Sequence, residues 1–196
     1  MKRLLIPASA VAVAAALTTV FAKNSNGSRG LDRLTNAGEP VAKVSPAGAR
    51  ALAQLGAIDL RLLGQIHGRQ FFRLTVRGSA CFASGEADTA GATPTDVYCP
   101  HGNFPSASLP VYDDPAVEIQ KSEAGVARIV ALDGFAADGV VRVDFVRQGD
   151  VIASAPVIGN VFSLDIAGID IAGTRLVARD QAGNIVFSRA YPAPPS

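Results

Sequence analysis

The side chains best suited to redox, metal or nucleophilic chemistry are few: Cys81, Cys99, His67 and His101. The two cysteines sit in strand-like stretches on either side of a loose Gly/Thr/Pro-rich segment. Behind an export signal such a pair reads as a disulfide pinning that segment to a small sheet. Loop-closure entropy makes a bridge of this length worth about 3 kcal/mol. That is a large term for a subdomain whose own core is small. Cys99-Pro100-His101 also resembles half of a metal site, with Cys81 and His67 as further ligands. The spacing departs from the close C-x2–4-C and H-x3–5-H pairs of zinc sites. A nucleophilic cysteine with His67 or His101 as its base would need an activated thiolate, and nothing beside either cysteine supplies one. The assignment is therefore a disulfide between Cys81 and Cys99, with no catalytic, cofactor-binding or metal-binding residue and no cofactor.

The remaining candidates point to structure. Gly78-Ser79-Ala80 leads into a strand, whereas a nucleophilic serine elbow joins a strand to a helix. Asp133, Asp138 and Asp144 bracket the segment DGFAADG, and Asp165 and Asp170 flank a second one. Loops of β proteins can gather carboxylates for calcium, but neither segment has the dense Asp/Asn spacing of a calcium loop. Asp beside Gly at a turn is accounted for by side-chain-to-backbone hydrogen bonding. No Gly-rich phosphate cradle occurs. A carboxylate pair for glycoside hydrolysis would be expected in an aromatic cleft, and the chain has no Trp.

The elements that must hold these residues are set by composition and pattern. The chain has 196 residues, 48% hydrophobic and 18% charged, which places it among folded globular proteins. Its 18 basic and 17 acidic side chains give a net charge of +1. Without a basic surface to displace counterions, nucleic acid is excluded as a partner. Lys2 and Arg3 precede an uncharged, Ala-rich run to Ala22, and Val20-Phe21-Ala22 fits a signal-peptidase site. The same run is just long enough to span a bilayer as an uncleaved anchor with the body outside. Either way the expectation is an extracytoplasmic protein, secreted or anchored in the plasma membrane.

Residues 23–44, with Asn24-Ser25-Asn26-Gly27-Ser28 and Gly38-Glu39-Pro40, read as a flexible linker. Ser45, Pro46 and Gly56 bracket a short helix as N-cap, first residue and C-terminal stop. Period-two alternation then begins. Ile58, Leu60 and Leu62, and Phe72, Leu74 and Val76, form a hairpin about His67-Gly68-Arg69. Further strands cover 80–83 and 96–99, separated by a long loop. The aromatics Phe71, Phe72, Phe82, Tyr98, Phe104 and Tyr112 would form the core of this part and its contact with the C-terminal half. From 115 onward seven short strands are expected, at 116–120, 126–132, 140–147, 151–157, 161–165, 174–179 and 185–191. Turn residues between them give the spacing of an antiparallel β-sandwich.

The stretches IVALDGFAADGVVRVDFV and TRLVARDQAGNIVFSRAYP resemble the C-terminal immunoglobulin-like β-sandwich of uncharacterised exported actinobacterial proteins. The upstream CFASG…VYCP…GNFPS is similar to the two-cysteine region that precedes it in that group. The resemblance covers about residues 60–191 and implies a fold without implying an activity. The expected architecture is mainly β: an N-terminal signal peptide or membrane anchor (1–22), a linker (23–44), a small disulfide-pinned β subdomain with a leading helix (45–112), and an Ig-like sandwich (115–191). The expected function is a non-enzymatic binding or structural role in the cell envelope or outside it, toward a protein or glycan partner. The alternatives are an extracellular hydrolase with its site between the subdomains, and a membrane-tethered sensor domain.

Overall fold

The structure, a computed structural model, describes residues 30–88, 90–100, 104–118 and 128–191. Residues 1–22, read as a signal peptide or membrane anchor, lie outside them, as do residues 23–29 and His101. The described chain is mainly β, with one helix and three antiparallel sheets.

The elements are β1 (Glu39–Pro40), α1 (Pro46–Leu55), β2 (Ala57–Ile66), β3 (Arg69–Val76), β4 (Ser79–Asp88), β5 (Gly91–Tyr98), β6 (Val111–Glu118), β7 (Arg128–Ala136), β8 (Arg142–Arg147), β9 (Asp150–Pro156), β10 (Val161–Asp165), β11 (Thr174–Arg179) and β12 (Ile185–Tyr191). β1 to β5 form one sheet in sequence order. β10-β7-β6 form a three-stranded sheet, and β12-β11-β8-β9 a four-stranded one.

The helix ends where the sequence places them. Ser45 Oγ accepts from the Gly48 amide at 3.0 Å, Pro46 opens the helix, and Gly56 stops it with φ +65°. The β2–β3 hairpin also agrees with the sequence. His67 and Gly68 both take positive φ, 50° and 84°, as a two-residue turn with the right-handed twist of a hairpin requires.

The long loop expected between residues 83 and 96 is instead strand. β4 continues to Asp88 and β5 starts at Gly91. Gly85 lies opposite Pro94 at a register shift, and a Cβ on Gly85 would sit 2.1 Å from the Thr93 carbonyl oxygen. The Gly and Pro that read as loop residues accommodate a bulge in a continuing ladder.

Within the stretch read as a flexible linker, residues from Gly30 onward are held in place. Leu31 is buried among residues of the three- and four-stranded sheets. Leu34 packs with Phe71 and Phe135, and Val41 with Phe72 and Leu74. One strap thus reaches three cores in succession. Glu39 and Pro40 pair with β2, and Val44 bridges to Ala92 of β5, so the strap joins both edges of the first sheet. Its polar residues make bonds: the Asn36 side-chain amide donates to the carbonyls of Leu63 at 3.1 Å and Gly159 at 2.6 Å.

The division near residue 113 also moves. Val111 and Tyr112 belong to β6, which pairs with β7 and not with the first sheet. Asp133 to Ala136, read as part of a loop after a strand ending at residue 132, complete β7. The reason lies in the three-stranded sheet, which is buried on both faces. Val111, Leu132, Ala136, Phe162 and Leu164 face a core shared with Val143, Phe145, Leu176 and Ala178 of the four-stranded sheet. Tyr112, Phe135 and Val161 face the opposite way, onto Leu63, Phe71 and Phe82 of the first sheet. Phe71 meets Phe135 edge-on, with centroids 5.8 Å apart, and Phe82 meets Phe135 at 4.8 Å. Such pairs contribute about 0.5–1.5 kcal/mol each beyond their buried area. The molecule is three sheets deep, with the three-stranded sheet in the middle.

Gly134 is the closest approach within that middle layer. A Cβ there would lie 2.5 Å from Phe162 Cζ and 2.5 Å from the Tyr112 carbonyl oxygen. Gly134→Ala should lower stability by about 1–3 kcal/mol, the usual range for overpacking a filled core. Urea unfolding followed by fluorescence or circular dichroism reads this directly. An unchanged midpoint would show that Phe162 and β6 yield freely.

Candidate binding site

The carboxylates that drew attention in the sequence do not converge. Each is engaged in a separate joint. Asp133, buried on β7, faces the first sheet, where Arg69 Nε lies 2.7 Å from its Oδ2. Arg69 Nη2 also donates to Ser84 Oγ at 2.9 Å and lies 3.7 Å from Asp96. Asp113, on β6, faces the other way and takes the guanidinium of Arg189 and the hydroxyl of Tyr191, both on β12. Burial and the neighbouring Asp113 charge push the Tyr191 hydroxyl well above its ordinary range, so it stays a donor.

Asp144, on β8, is fully buried. It accepts from Ser154 Oγ at 2.7 Å and Arg179 Nε at 2.6 Å, with Arg142 Nε at 3.1 Å. Burial raises its pKa, but the bonds from Arg179 and Ser154 and the two positive charges outweigh that and hold it below the usual carboxylate value. Asp138 binds the strap. It accepts from the Thr35 amide at 2.9 Å and Asn160 Nδ2 at 3.0 Å. Its pKa is lowered too, the hydrogen bonds from Thr35 and Asn160 and the Arg33 charge exceeding the effect of burial. Asp165 and Asp170 accept from the amides of Ala167 and Ala172, two residues on, as turn caps do. Among the described residues no group of three or more His, Cys, Asp or Glu side chains is placed to hold a metal ion.

Cys81 and Cys99 form a disulfide, with Cα atoms 4.2 Å apart. It ties β4 to the end of β5, one step beyond the Phe82–Tyr98 pair, and Cys81 is buried against Phe72, Leu74 and Ala83. His67 is exposed at the tip of the β2–β3 turn, away from both sulfurs' buried setting. Ser79 opens β4. The aromatics divide: Phe72 enters the core beneath the strap, whereas Phe71, Phe82, Tyr98, Phe104 and Tyr112 form the contact between sheets.

Two concave regions stand out among the described residues. One, on the outer side of the four-stranded sheet, is lined by Arg142, Ser154, Arg179 and Asp180, and its arginines are already engaged on Asp144. The other, of about 340 Å³, lies between the strap and the first sheet. Leu62, Phe72 and Ala92 form its apolar wall, and Glu39 and Lys43 line it from the strap. Gln70 lines it as well, and its Oε1 is buried with no hydrogen-bond partner. Sequence reasoning missed Gln70, a polar residue in the apolar register of β3. The one signal was its place two residues before Phe72, on the inward side of that strand. No known protein family, curated protein or solved structure matches the chain.

Asp144→Asn should destabilise the protein by about 2 kcal/mol at neutral pH, within the range for hydrogen bonds to charged groups. The sign of the pH dependence is set by the lowered folded pKa. The contribution is complete above the unfolded value of about 3.9 and is lost as pH falls through the lower folded value. Urea titrations across a pH series should therefore show a constant gap between wild type and variant near neutrality, closing in the acid limb below about pH 4. A gap that widens on acidification would contradict the assignment.

Gln70→Leu removes a buried polar atom that has no partner. It should raise stability by about 1 kcal/mol, since an unsatisfied oxygen costs its desolvation energy and an apolar replacement does not. Thermal unfolding checks this, and a destabilised variant would mean that the carboxamide is bonded in solution.

Proposed function

We propose that this is an exported, non-enzymatic protein with a binding or structural role in the cell envelope or outside it, toward a protein or glycan partner. The observation that carries the reading is the Cys81–Cys99 disulfide, which belongs to an oxidising compartment. The basic start and uncharged run of residues 1–22 agree with it, as signal peptide or membrane anchor.

The seven strands from β6 to β12 support an immunoglobulin-like sandwich as the finer description of the second half. The first, second and fifth strands lie in one sheet, and the third, fourth, sixth and seventh in the other. An immunoglobulin constant-type domain differs in keeping its fourth strand with the first group, so here that strand has changed sheets. A binding role rests on the form of the molecule. Its buried carboxylates are engaged within a sheet, between layers or by the strap, and a concave region lies between the strap and the first sheet. The near-neutral chain argues against nucleic acid as a partner.

Intact mass of protein recovered from soluble and membrane fractions of an exporting host tests the proposal. The expected species begins at Lys23, or retains the full N-terminus in the membrane fraction, and in either case is two hydrogens lighter than the reduced chain. Recovery from the cytoplasm with two free thiols would overturn it. The Cys81→Ala/Cys99→Ala double variant should lose about 3 kcal/mol of stability if the bridge acts by loop closure.

A further inference from the structure

We infer that the outer face of the four-stranded sheet binds an acidic polysaccharide, a glycan whose sugars carry carboxylates. The inference names the class of glycan for the binding role proposed above and rests on that reading.

Alternation along the strands fixes what this face presents. Val143 and Phe145 of β8 and Leu176 and Ala178 of β11 enter the core, so Arg142 and Asp144, and Arg175 and Arg179, stand on the outer side. Across the ladder Arg179 lies opposite Arg142, and Ser154 of β9 lies opposite Asp144. Among the described residues of these four strands, Asp144 is the one carboxylate in the outward register. Three positive charges against one negative leave an excess of two. Asp180, just past β11, offsets part of that excess at one end of the sheet. Its carboxylate is occupied by its own turn, accepting from the Ala182 and Asn184 amides at 3.0 and 2.8 Å and from Asn184 Nδ2 at 3.0 Å.

Each guanidinium is held by one edge. Arg142 and Arg179 set Nε at 3.1 and 2.6 Å from the two oxygens of the buried Asp144. Arg179 Nη1 also donates to the Gly183 carbonyl at 3.0 Å. Arg175 Nε and Nη2 donate to Ser188 Oγ at 3.0 and 2.8 Å. Both Nη groups of Arg142, Nη2 of Arg179 and Nη1 of Arg175 donate to none of the described residues. Asp144 thus relieves the repulsion between two arginines set opposite each other and fixes their orientation, while N–H groups remain for a planar carboxylate. Arg142 is half exposed and Arg175 is exposed, so a ligand reaches both.

The form of the face favours a chain of charges. Arg142, Ser154 and Arg179 line a concavity of about 370 Å³ at one end of the sheet. Arg175 follows four residues away along β11, about 13 Å at the rise of a strand. No aromatic side chain stands in the outward register, whereas protein interfaces place aromatic and apolar anchors at a dry centre. A second copy of this chain would set like charges against each other. A polyanion bearing hydroxyls suits guanidinium N–H groups interspersed with Ser154 and Ser188.

The test uses the full chain and three tetramers: tetragalacturonate, the neutral maltotetraose, and tetraglutamate. Titrations are followed by the backbone amide resonances of the isotope-labelled protein, at low and at raised salt. Tetragalacturonate should give saturable shifts at Arg142, Ser154, Arg175 and Arg179 that weaken as salt is raised, and maltotetraose should give none. Arg175→Gln should weaken tetragalacturonate about three- to fivefold, the effect of one exposed charge contact. Arg50→Gln removes an exposed charge from α1 and should leave the affinity unchanged. Both positions are exposed, and a dispersed spectrum reports that each variant is folded. The site is overturned by no saturable shift with tetragalacturonate, by shifts confined to another face, or by equal affinity for maltotetraose. An Arg175→Gln variant that binds like wild type, or an equal loss in Arg50→Gln, overturns it as well. Tetraglutamate binding as tightly as tetragalacturonate would overturn the glycan and point to an acidic protein. None of these results alters the mass and thiol state that test export, so the two proposals fail separately.

Discussion

The burial of both faces of the β10-β7-β6 sheet constrains everything around it. Antiparallel sheets commonly leave one face to water, and their strands then alternate apolar and polar residues. Here alternate residues serve two different cores. Leu132 and Ala136 pack toward the four-stranded sheet, and Phe135 packs toward the first. Two buried aspartates occupy the same sheet, one facing each way: Asp113 to Arg189 and Tyr191, and Asp133 to Arg69. Buried ion pairs of this kind are poor sources of net stability, because desolvation consumes most of the attraction. Their geometric demand is strict, however. An arginine must meet a carboxylate at one place, so each pair fixes how its outer sheet is set against the middle one.

The strap extends this logic to the rest of the chain. Leu31, Leu34 and Val41 enter the three cores in order along the sequence, while Asn36 and the Asp138–Thr35 bonds fix the backbone between them. A segment with no regular periodicity thus contributes long-range contacts to every layer. The cost of ordering it, about 1–2 kcal/mol per residue for the backbone, is offset by apolar anchors and by bonded polar groups at the crossings. The first sheet is held at both edges by this segment and across β4 and β5 by the disulfide, which compensates for a small core.

Much of the architecture was legible in the sequence, for reasons that the particulars make plain. The helix was read to the residue, since Ser45, Pro46 and Gly56 act through local backbone chemistry. The strands β8 to β12 were read to within two residues, because polar turns separate them. The disulfide was evident from the only two cysteines. The misreadings share one cause. Asp133 to Ala136 read as loop because a strand buried on both faces, with Gly134 beneath a phenylalanine ring, shows no alternation. Residues 84–95 read as a loop because the glycines and proline of a bulge resemble those of a turn. The strap read as a linker because its anchors are spaced to suit distant cores and not a helix or strand. Tertiary contacts decide all three cases, and no local signal carries them. The cavity was illegible for the same reason, since its walls come from segments that meet only in the folded chain.

Gln70 is best understood against the other buried polar groups. Asp113, Asp133, Asp138 and Asp144 each bind groups from another element or from the strap, and each thereby helps to hold the fold. Gln70 Oε1 is shut from solvent without a hydrogen-bond partner on strand β3, where a leucine or methionine would fill the same volume at lower cost. Such a group costs stability in the folded state. Local violations of polar satisfaction in an otherwise consistent structure are expected where a molecule is shaped for something besides its own stability. In this chain that violation lies on β3 beneath the strap, where Val41 packs with Phe72 and Leu74, so the carboxamide oxygen is closed off beside the contacts that hold the strap to the first sheet.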